Sequence, residues 1–185
     1  MSSVLPASKI IDNDTYDAAL KSWFGEDRHW NLIYRASEHN YTAKSFHECC
    51  DGKANTLVII KSSYGWIFGG YTPLTWDPSV IYQNDSESFI FSLKNPHETE
   101  PMRFMKGTEG KISIESNPMA GPIFGVDDIH ISEDCTEGCN CWIDNDGTQG
   151  YETHFMYKKG LFVNTNTPNE KNKFDVTDYE VFTAL

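Results

Sequence analysis

A change in hydrophobic period at Thr56 constrains the fold of this chain more than any other feature of the sequence. From there on, β-branched and aromatic residues occur in short runs, and turn residues separate nearly all of them. Such runs are typical of antiparallel strands, because no helix-length segment lies between the later runs to make a parallel crossover. The runs at 56–61 and 66–71 flank a Ser-Tyr-Gly turn and predict a hairpin. We expect further strands at residues 89–93, 102–105, 111–115, 128–132, 151–157 and 174–183.

The chain before Thr56 has a helical period instead. Apolar residues spaced for one helix face predict a first helix that Asp12 or Asp14 caps, and these residues are Tyr16, Leu20, Trp23 and Phe24. A second helix is predicted over 43–50 with Thr42 as its cap. Alternating residues predict a strand over 30–35 between the two helices.

Helices followed by many short strands predict an α+β, mostly β fold: a sandwich of two antiparallel sheets with a few flanking helices. We expect residues 1–9 to form a flexible leader and residues 10–185 to form a single domain. The chain has 185 residues, which suits one domain. An aromatic content of 14% excludes a disordered chain.

The net charge of -12 argues against nucleic acid as a partner, because binding to phosphates depends on Lys and Arg. The sequence contains no apolar run long enough for a membrane span, so we expect no membrane insertion. The first residues lack a basic segment and an apolar core, so they do not resemble a secretory signal. These features predict a cytoplasmic protein with reduced thiols.

One stretch, residues 112–157, contains acidic residues but neither Lys nor Arg. The stretch is interpreted in three ways: a solvated loop face, a cation site, or a dock for a basic partner surface. Within it, an Asp-Asn-Asp-Gly segment resembles part of a calcium loop, but the expected ligand positions are out of register. An Asp-Gly turn is the simpler interpretation. The candidate contact residues in this stretch are Asp127, Asp128, Glu133 and Asp134.

The same stretch holds three of the five cysteines, Cys135, Cys139 and Cys141. Their gaps of three residues and one residue fit a zinc knuckle poorly, and a fourth ligand would have to come from farther along the chain, with His130 and His154 as examples. We therefore predict no metal and no cofactor, and interpret the three as surface thiols that oxidise readily. They remain candidate redox thiols, although acidic neighbours raise the pKa of a thiol. Neither a nucleophile elbow nor a phosphate loop occurs in the sequence, so the residues define no reaction.

Seven segments occur in a fixed order along the chain: WNLIYRAS at 30–37, FHECCDGK at 46–53, TLVIIK at 56–61, FGGYT at 68–72, SFIFSL at 88–93, GPIFG at 121–125 and YEVF at 179–182. This ordered set resembles the TLDc domain. Their order over roughly residues 10–184 makes chance similarity a poor explanation. The family's fold is a sandwich of two antiparallel sheets, so the resemblance implies the same architecture as the hydrophobic period does. Where many relatives have a Gly-Gly-His-Asp-like run after the GPIFG segment, this chain has Val-Asp-Asp-Ile at 126–129.

The resemblance implies a non-enzymatic interaction module that binds and regulates the vacuolar proton-pumping ATPase through its catalytic sector. It also implies a link to protection from oxidative stress. Gly69, Gly70, Phe89 and Gly125 fall on family positions that we interpret as fold-maintaining, and Glu180 falls on a family position that we treat as a candidate contact. Two alternatives stay open: a thiol-based redox protein, and a β-sandwich whose aromatic residues, such as Trp66 and Trp76, line a small-ligand pocket.

Overall fold

The computed structural model describes residues 3–106, 112–133, 135–136, 141–143, 151 and 172–184. Helix α1 runs over Asp14–Phe24 and ends at Gly25, whose φ of 88° is readily adopted by glycine. The side chain of Asn13 caps this helix by accepting a hydrogen bond from the Tyr16 N–H at 3.0 Å. The expected cap at Asp12 or Asp14 is therefore wrong by one residue, since Asn13 has the extended backbone that a cap requires.

The second helix, α2, spans Ala43–Cys50 as predicted. Thr42 caps it, because its Oγ1 accepts the Ser45 N–H at 3.1 Å. Phe46 and Cys50 are completely buried on its inner face. A short 3-10 helix, Ala36–Glu38, precedes it.

The strands form two antiparallel sheets, which confirms the predicted fold class. Sheet 1 has the order β1-β12-β2-β3-β5-β6. Its strands are β1 Trp30–Arg35, β2 Thr56–Ser62, β3 Ile67–Thr72, β5 Phe89–Lys94, β6 Met102–Met105 and β12 Val176–Ala184. The register of the β2–β3 hairpin pairs Ile59 with Gly69.

Sheet 2 has the order β11-β10-β9-β8-β7-β4. Its strands are β4 Tyr82–Gln83, β7 Ile114–Glu115, β8 Ala120–Phe124, β9 Ile129–Ser132, β10 Cys141–Ile143 and β11 Asn172–Phe174. The sequence did not predict β4, β8 or β10, and it did not separate β11 from β12. Strands β4, β10 and β11 have only two or three residues, and β8 contains Pro122, which argues against a strand. Of the strand expected at 151–157, only Tyr151 is described, and it forms a single bridge with Lys106.

The central strands of sheet 1 are buried on both faces, and alternate residues enter two different clusters. The inner core lies between the sheets and includes Val58, Ile60, Phe68, Ile90, Val181 and, from sheet 2, Phe124 and Ile131. The outer cluster lies on the opposite face and includes Leu57, Ile59, Phe89, Phe91 and Phe182. The period of two therefore places neighbours in sequence on opposite faces of one sheet.

We call residues 3–11 the strap. The strap and helix α1 together cover the outer cluster. Leu5 and Ile10 of the strap are 1% and 2% exposed, and Val4 and Ile11 are buried beside them. The strap therefore packs on the domain, whereas the sequence predicted a flexible leader for residues 1–9. Of the described helices, none combines the length and the apolar character needed to cross a membrane.

Candidate functional site

The turn between β8 and β9 holds two of the candidate acids. Gly125 has a φ of 66° and Asp127 a φ of 68°, so the chain reverses through two left-handed residues. A Cβ on Gly125 would lie only 1.8 Å from Oδ2 of Asp128, so glycine is required both by the backbone and by the space. Asp128 is 4% exposed, and its Oδ2 accepts the Tyr151 N–H at 3.2 Å. Asp128 thus links the turn to the interior.

Asp127 faces a histidine instead. Its Oδ1 lies 2.8 Å from Nδ1 of His130, and the His130 ring stacks on Trp142 with centroids 3.7 Å apart. The side chain of Asp127 is 24% exposed and that of His130 is 11% exposed. A carboxylate that holds one ring nitrogen fixes the orientation of the imidazole.

Glu133 reaches from the end of sheet 2 to helix α2. Its Oε2 accepts the Ala43 N–H at 2.7 Å, at the helix N-terminus where an acidic group is favourable. The residue is otherwise exposed, so it is the candidate acid most open to a partner among those described. Asp134, the fourth candidate acid of this stretch, lies outside the described residues.

Glu180 lies on the outer face of sheet 1 and is completely buried. Its carboxylate accepts hydrogen bonds from three groups: Ser8 Oγ at 2.6 Å, the Lys9 N–H at 2.8 Å and Arg35 Nε at 2.9 Å. Arg35 is 4% exposed, and it also binds Glu38 and the carbonyl of Ala7. We call Glu180, Arg35, Glu38 and their strap partners Ser8 and Lys9 the latch. Because the carboxylate is enclosed, we assign Glu180 to holding the strap rather than to a contact surface.

Two of the three candidate redox thiols lie inside the protein. The expectation of surface cysteines is wrong for Cys135 and Cys141, which are both 0% exposed. Cys139 lies outside the described residues. Burial also raises the pKa of the Cys50 thiol well above its ordinary value, which disfavours the reactive thiolate. Among the described residues, no group of three or more His, Cys, Asp or Glu could hold a metal ion.

The remaining family positions contact the two clusters. A Cβ on Gly69 would lie 1.9 Å from the carbonyl oxygen of Val58, on the adjacent strand. A Cβ on Gly70 would lie 2.6 Å from the Phe124 ring, which belongs to sheet 2. Phe89 is 3% exposed, and its ring meets those of Trp23, Phe24, Tyr71 and Phe91. These contacts support the interpretation of the glycines and Phe89 as fold-maintaining.

The aromatic residues suggested for a ligand pocket pack with protein groups. Trp76 is completely buried and donates a hydrogen bond from Nε1 to Oγ1 of Thr56 at 2.9 Å. Its ring meets Phe46 and Phe124. Trp66 is partly buried and packs against the inner core. Both residues therefore contribute to the core that joins the sheets.

Sequence reasoning missed two surface features. Four large apolar side chains are exposed near the β4 edge of sheet 2 and the β7–β8 turn, and we call them the apolar edge: Val80 at 49%, Ile81 at 43%, Tyr82 at 60% and Met119 at 75%. The second feature is Arg28, which lies against three aromatic rings. A polar residue within a loop gives no sequence signal for such a contact, whereas an apolar Val-Ile-Tyr run before a weak strand could have indicated the edge.

The domain is a β-sandwich of two antiparallel sheets with flanking helices. Helix α2 packs against the inner core, and helix α1 and the strap pack on the outer face of sheet 1. A family model described as the TLDc domain matches residues 5–184 of this chain. The chain therefore belongs to the TLDc family. The match begins at residue 5 and therefore includes most of the strap.

Vertebrate relatives share part of this domain. A segment of 69 residues is 26% identical to the MTOR-associated protein MEAK7 of Danio rerio, and covers 37% of this chain and 15% of that protein. A segment of 67 residues is 31% identical to MEAK7 of Xenopus laevis, and covers 35% of this chain and 14% of that protein. MEAK7 of Gallus gallus is also 31% identical over 67 residues. The matched segments therefore span only about a seventh of these relatives.

Proposed function

We propose that this chain is a non-enzymatic TLDc interaction module in the cytoplasm. It binds and regulates the vacuolar proton-pumping ATPase through the catalytic sector of that enzyme, and it contributes to oxidative-stress tolerance. The observation that carries the proposal is the TLDc match over residues 5–184. The resemblance supplies the partner, since binding to this proton pump is associated with the family.

The apolar edge supports a binding role. Isolated apolar side chains are common on surfaces, but three consecutive ones that lead into an edge strand, with exposed Met119 in the turn after the neighbouring strand β7, favour a protein-binding surface. Among the described strands, β4 pairs with β7 alone, and an edge strand of this kind has backbone groups that a partner strand can pair with. Exposed Glu133 and half-buried Asp127 add negative charge to another part of sheet 2, which favours a partner with a basic surface.

The experiment measures binding of the purified catalytic sector of the pump to the immobilised chain. Wild type, Tyr82→Asp and Tyr64→Asp are compared, because Tyr82 and Tyr64 are exposed to similar extents, 60% and 65%, while Tyr64 lies in the β2–β3 turn. We expect Tyr82→Asp to weaken binding by about tenfold or more, since it places a charge in an apolar contact. Tyr64→Asp is expected to bind as wild type does. A folded wild-type chain that does not bind the sector contradicts the proposal.

The oxidative-stress part needs its own readout. Cells that lack the chain are complemented with wild type, Tyr82→Asp or a variant in which Cys135, Cys139 and Cys141 are serine. If the chain acts through binding, peroxide survival falls with Tyr82→Asp and is retained by the cysteine variant. The reverse pattern would favour the alternative of a thiol-based redox protein.

The relatives suggest a second partner class. The name of MEAK7 states an association with mTOR, and a segment of this chain resembles those proteins. We therefore include a complex that contains mTOR as a second analyte in the same binding experiment. Binding of that complex with the same dependence on Tyr82, and without binding of the pump sector, would transfer the proposal to this partner.

A further inference from the structure

Three aromatic rings on the outer face of sheet 1 form a cage around a cation. Phe24 comes from the end of α1, Trp30 from β1 and Tyr71 from β3. The rings are steeply inclined to one another: Phe24 meets Trp30 at 77° and Tyr71 at 67°, and Trp30 meets Tyr71 at 89°. Three walls at such angles enclose a space whose sides are ring faces and edges, which is the arrangement that binds alkylated and delocalised cations.

The guanidinium of Arg28 occupies this cage in the free chain. Its central carbon lies 5.8 Å from the ring centroid of Phe24, 5.2 Å from that of Trp30 and 5.5 Å from that of Tyr71. All three distances lie within the range of cation–π attraction, about 6 Å. The present occupant therefore identifies the ligand class that the cage accepts: a planar guanidinium.

Apart from the three rings, few described groups bind the Arg28 side chain. Its one hydrogen bond to a described group runs from Nη2 to the Tyr71 hydroxyl at 3.2 Å, and it makes no ion pair with a described carboxylate. The residue is half-buried and lies on the short loop 25–29, whose other four residues are exposed. A side chain held in this way can be exchanged for an equivalent group from another molecule.

The surroundings favour a basic ligand that brings a carbonyl group. Glu26 and Asp27 are exposed on the same loop, and their charges raise the local concentration of cations. Trp30 is 8% exposed, and its Nε1–H is buried without a hydrogen-bond partner in the described structure. An unpaired buried donor is costly, so a ligand whose binding rearranges the cage and supplies an oxygen acceptor would remove that cost.

We propose that Phe24, Trp30 and Tyr71 form a binding site for an arginine side chain of a partner protein, and that Arg28 is a displaceable occupant of this site. The partner's arginine replaces Arg28 between the three rings, and Arg28 moves out toward solvent on its loop. This site is distinct from the apolar edge. It does not depend on which large assembly the chain binds, so the two proposals can fail separately.

The test uses N-acetyl-arginine methylamide as the probe and N-acetyl-citrulline methylamide as its neutral analogue. Binding is followed through the indole N–H signals of the five tryptophans in two-dimensional NMR, with the Trp30 signal assigned from a Trp30→Phe variant. Wild type is compared with Arg28→Ala, which empties the cage. The matched control is Arg103→Ala, since Arg103 also lies over an aromatic ring, at 5.3 Å from the Phe89 centroid, but outside the cage.

We expect the arginine probe to shift the Trp30 signal of Arg28→Ala in a saturable way. Wild type and Arg103→Ala are expected to need about tenfold more probe, because Arg28 must be displaced first. The citrulline probe is expected to bind Arg28→Ala at least about tenfold more weakly than the arginine probe, since it keeps the shape and loses the charge.

Three results would overturn the proposal. One is an Arg28→Ala variant whose Trp30 signal does not respond to the arginine probe. Another is an equal response to both probes, which would mean that charge is not recognised. The third is a wild-type chain that shows no shift at about a hundredfold the concentration that half-saturates Arg28→Ala, which would make Arg28 a permanent part of the packing. If Arg28→Ala loses the dispersed spectrum of a folded chain, Arg28→Gln takes its place under the same criteria.

Discussion

The two faces of sheet 1 are covered in different ways. Its inner face packs on sheet 2 through apolar side chains, and Gly70 of one sheet lies directly against Phe124 of the other. Its outer face is covered by α1 and the strap, and the strap is held by the buried latch around Glu180. The inner cover is thus a whole apolar sheet, whereas the outer cover is one helix and a short strap that combines buried apolar side chains with a few charged groups. We infer that the outer cover is the part of the domain that opens first.

The largest effect expected from this comparison is that of Glu180→Ala. Removing the carboxylate leaves Arg35 with its charge buried and its main partner lost, which typically costs about 3–5 kcal/mol in the free energy of unfolding. Urea unfolding measures the loss. Asp178→Ala is the matched control, since Asp178 lies on the same strand and accepts two hydrogen bonds from Ser37 at the surface. Equal losses for the two variants would contradict the latch.

Gly69→Ala tests how closely the strands of sheet 1 approach each other. The new methyl group would overlap the backbone carbonyl of Val58, which cannot move without breaking the β2–β3 pairing. We expect a loss of about 3 kcal/mol in urea unfolding, at the upper end of what overpacking costs. Gly65→Ala is the control: its Cβ would meet nothing within 4 Å, although its φ of 77° still costs about 1–2 kcal/mol. A Gly69→Ala variant no less stable than the control would contradict the close approach.

Ser8→Ala removes hydrogen bonds that hold the strap, while Glu180 keeps its ion pair with Arg35. The Ser8 hydroxyl donates to Glu180 and accepts the N–H groups of Ile10 and Ile11, so its loss is expected to cost about 1.5 kcal/mol. Hydrogen exchange is the sharper measurement, because we expect faster exchange in residues 3–11 and unchanged exchange in β8 of the inner core. An equal acceleration in both regions would mean that the two covers open together.

The sequence predicted those parts of the fold that local rules determine. The helix at 43–50 and its Thr42 cap follow from residues within one turn of each other, and the alternation in β2 follows from the period of a strand. Strand β8 was missed because Gly121 and Pro122 oppose strand structure locally, while its neighbours β7 and β9 pair with it along the sheet.

The latch could not be predicted in the same way. Ser8 and Glu180 are 172 residues apart, so nothing near either residue indicates the other. Glu180 was predicted as a contact residue from its family position, and nothing in the sequence near it indicates that Arg35 and the strap enclose its carboxylate. The same holds for Arg28, whose three aromatic neighbours come from three separate elements.

The smallest expected effect is a pH dependence of the outer cover. Hydrogen bonds from Lys9 and Arg35 lower the pKa of Glu38 from 4.5 to about 2. The pKa of Asp17 is also lowered: burial alone would raise it, but hydrogen bonds from Lys21, from the N–H of Val4 and from Ser3 outweigh that effect. A folded-state pKa below its unfolded value means that the native chain binds fewer protons in this range. The stabilisation is therefore complete above about pH 4.5 and is lost as the pH falls toward 2.

Thermal unfolding of wild type and Glu38→Gln between pH 6 and 2.5 measures this dependence. We expect the melting temperature of wild type to fall more steeply below about pH 4.5 than that of the variant, which has no carboxylate to protonate. Glu48→Gln is the matched control, because Glu48 forms an exposed pair with Lys44 at a longer distance of 3.7 Å and lies on α2, away from the strap. If both variants reduce the pH dependence of the melting temperature equally, the acid sensitivity arises from surface carboxylates in general. If only Glu38→Gln does so, the acid sensitivity comes from protonation of Glu38 in the latch that holds the strap.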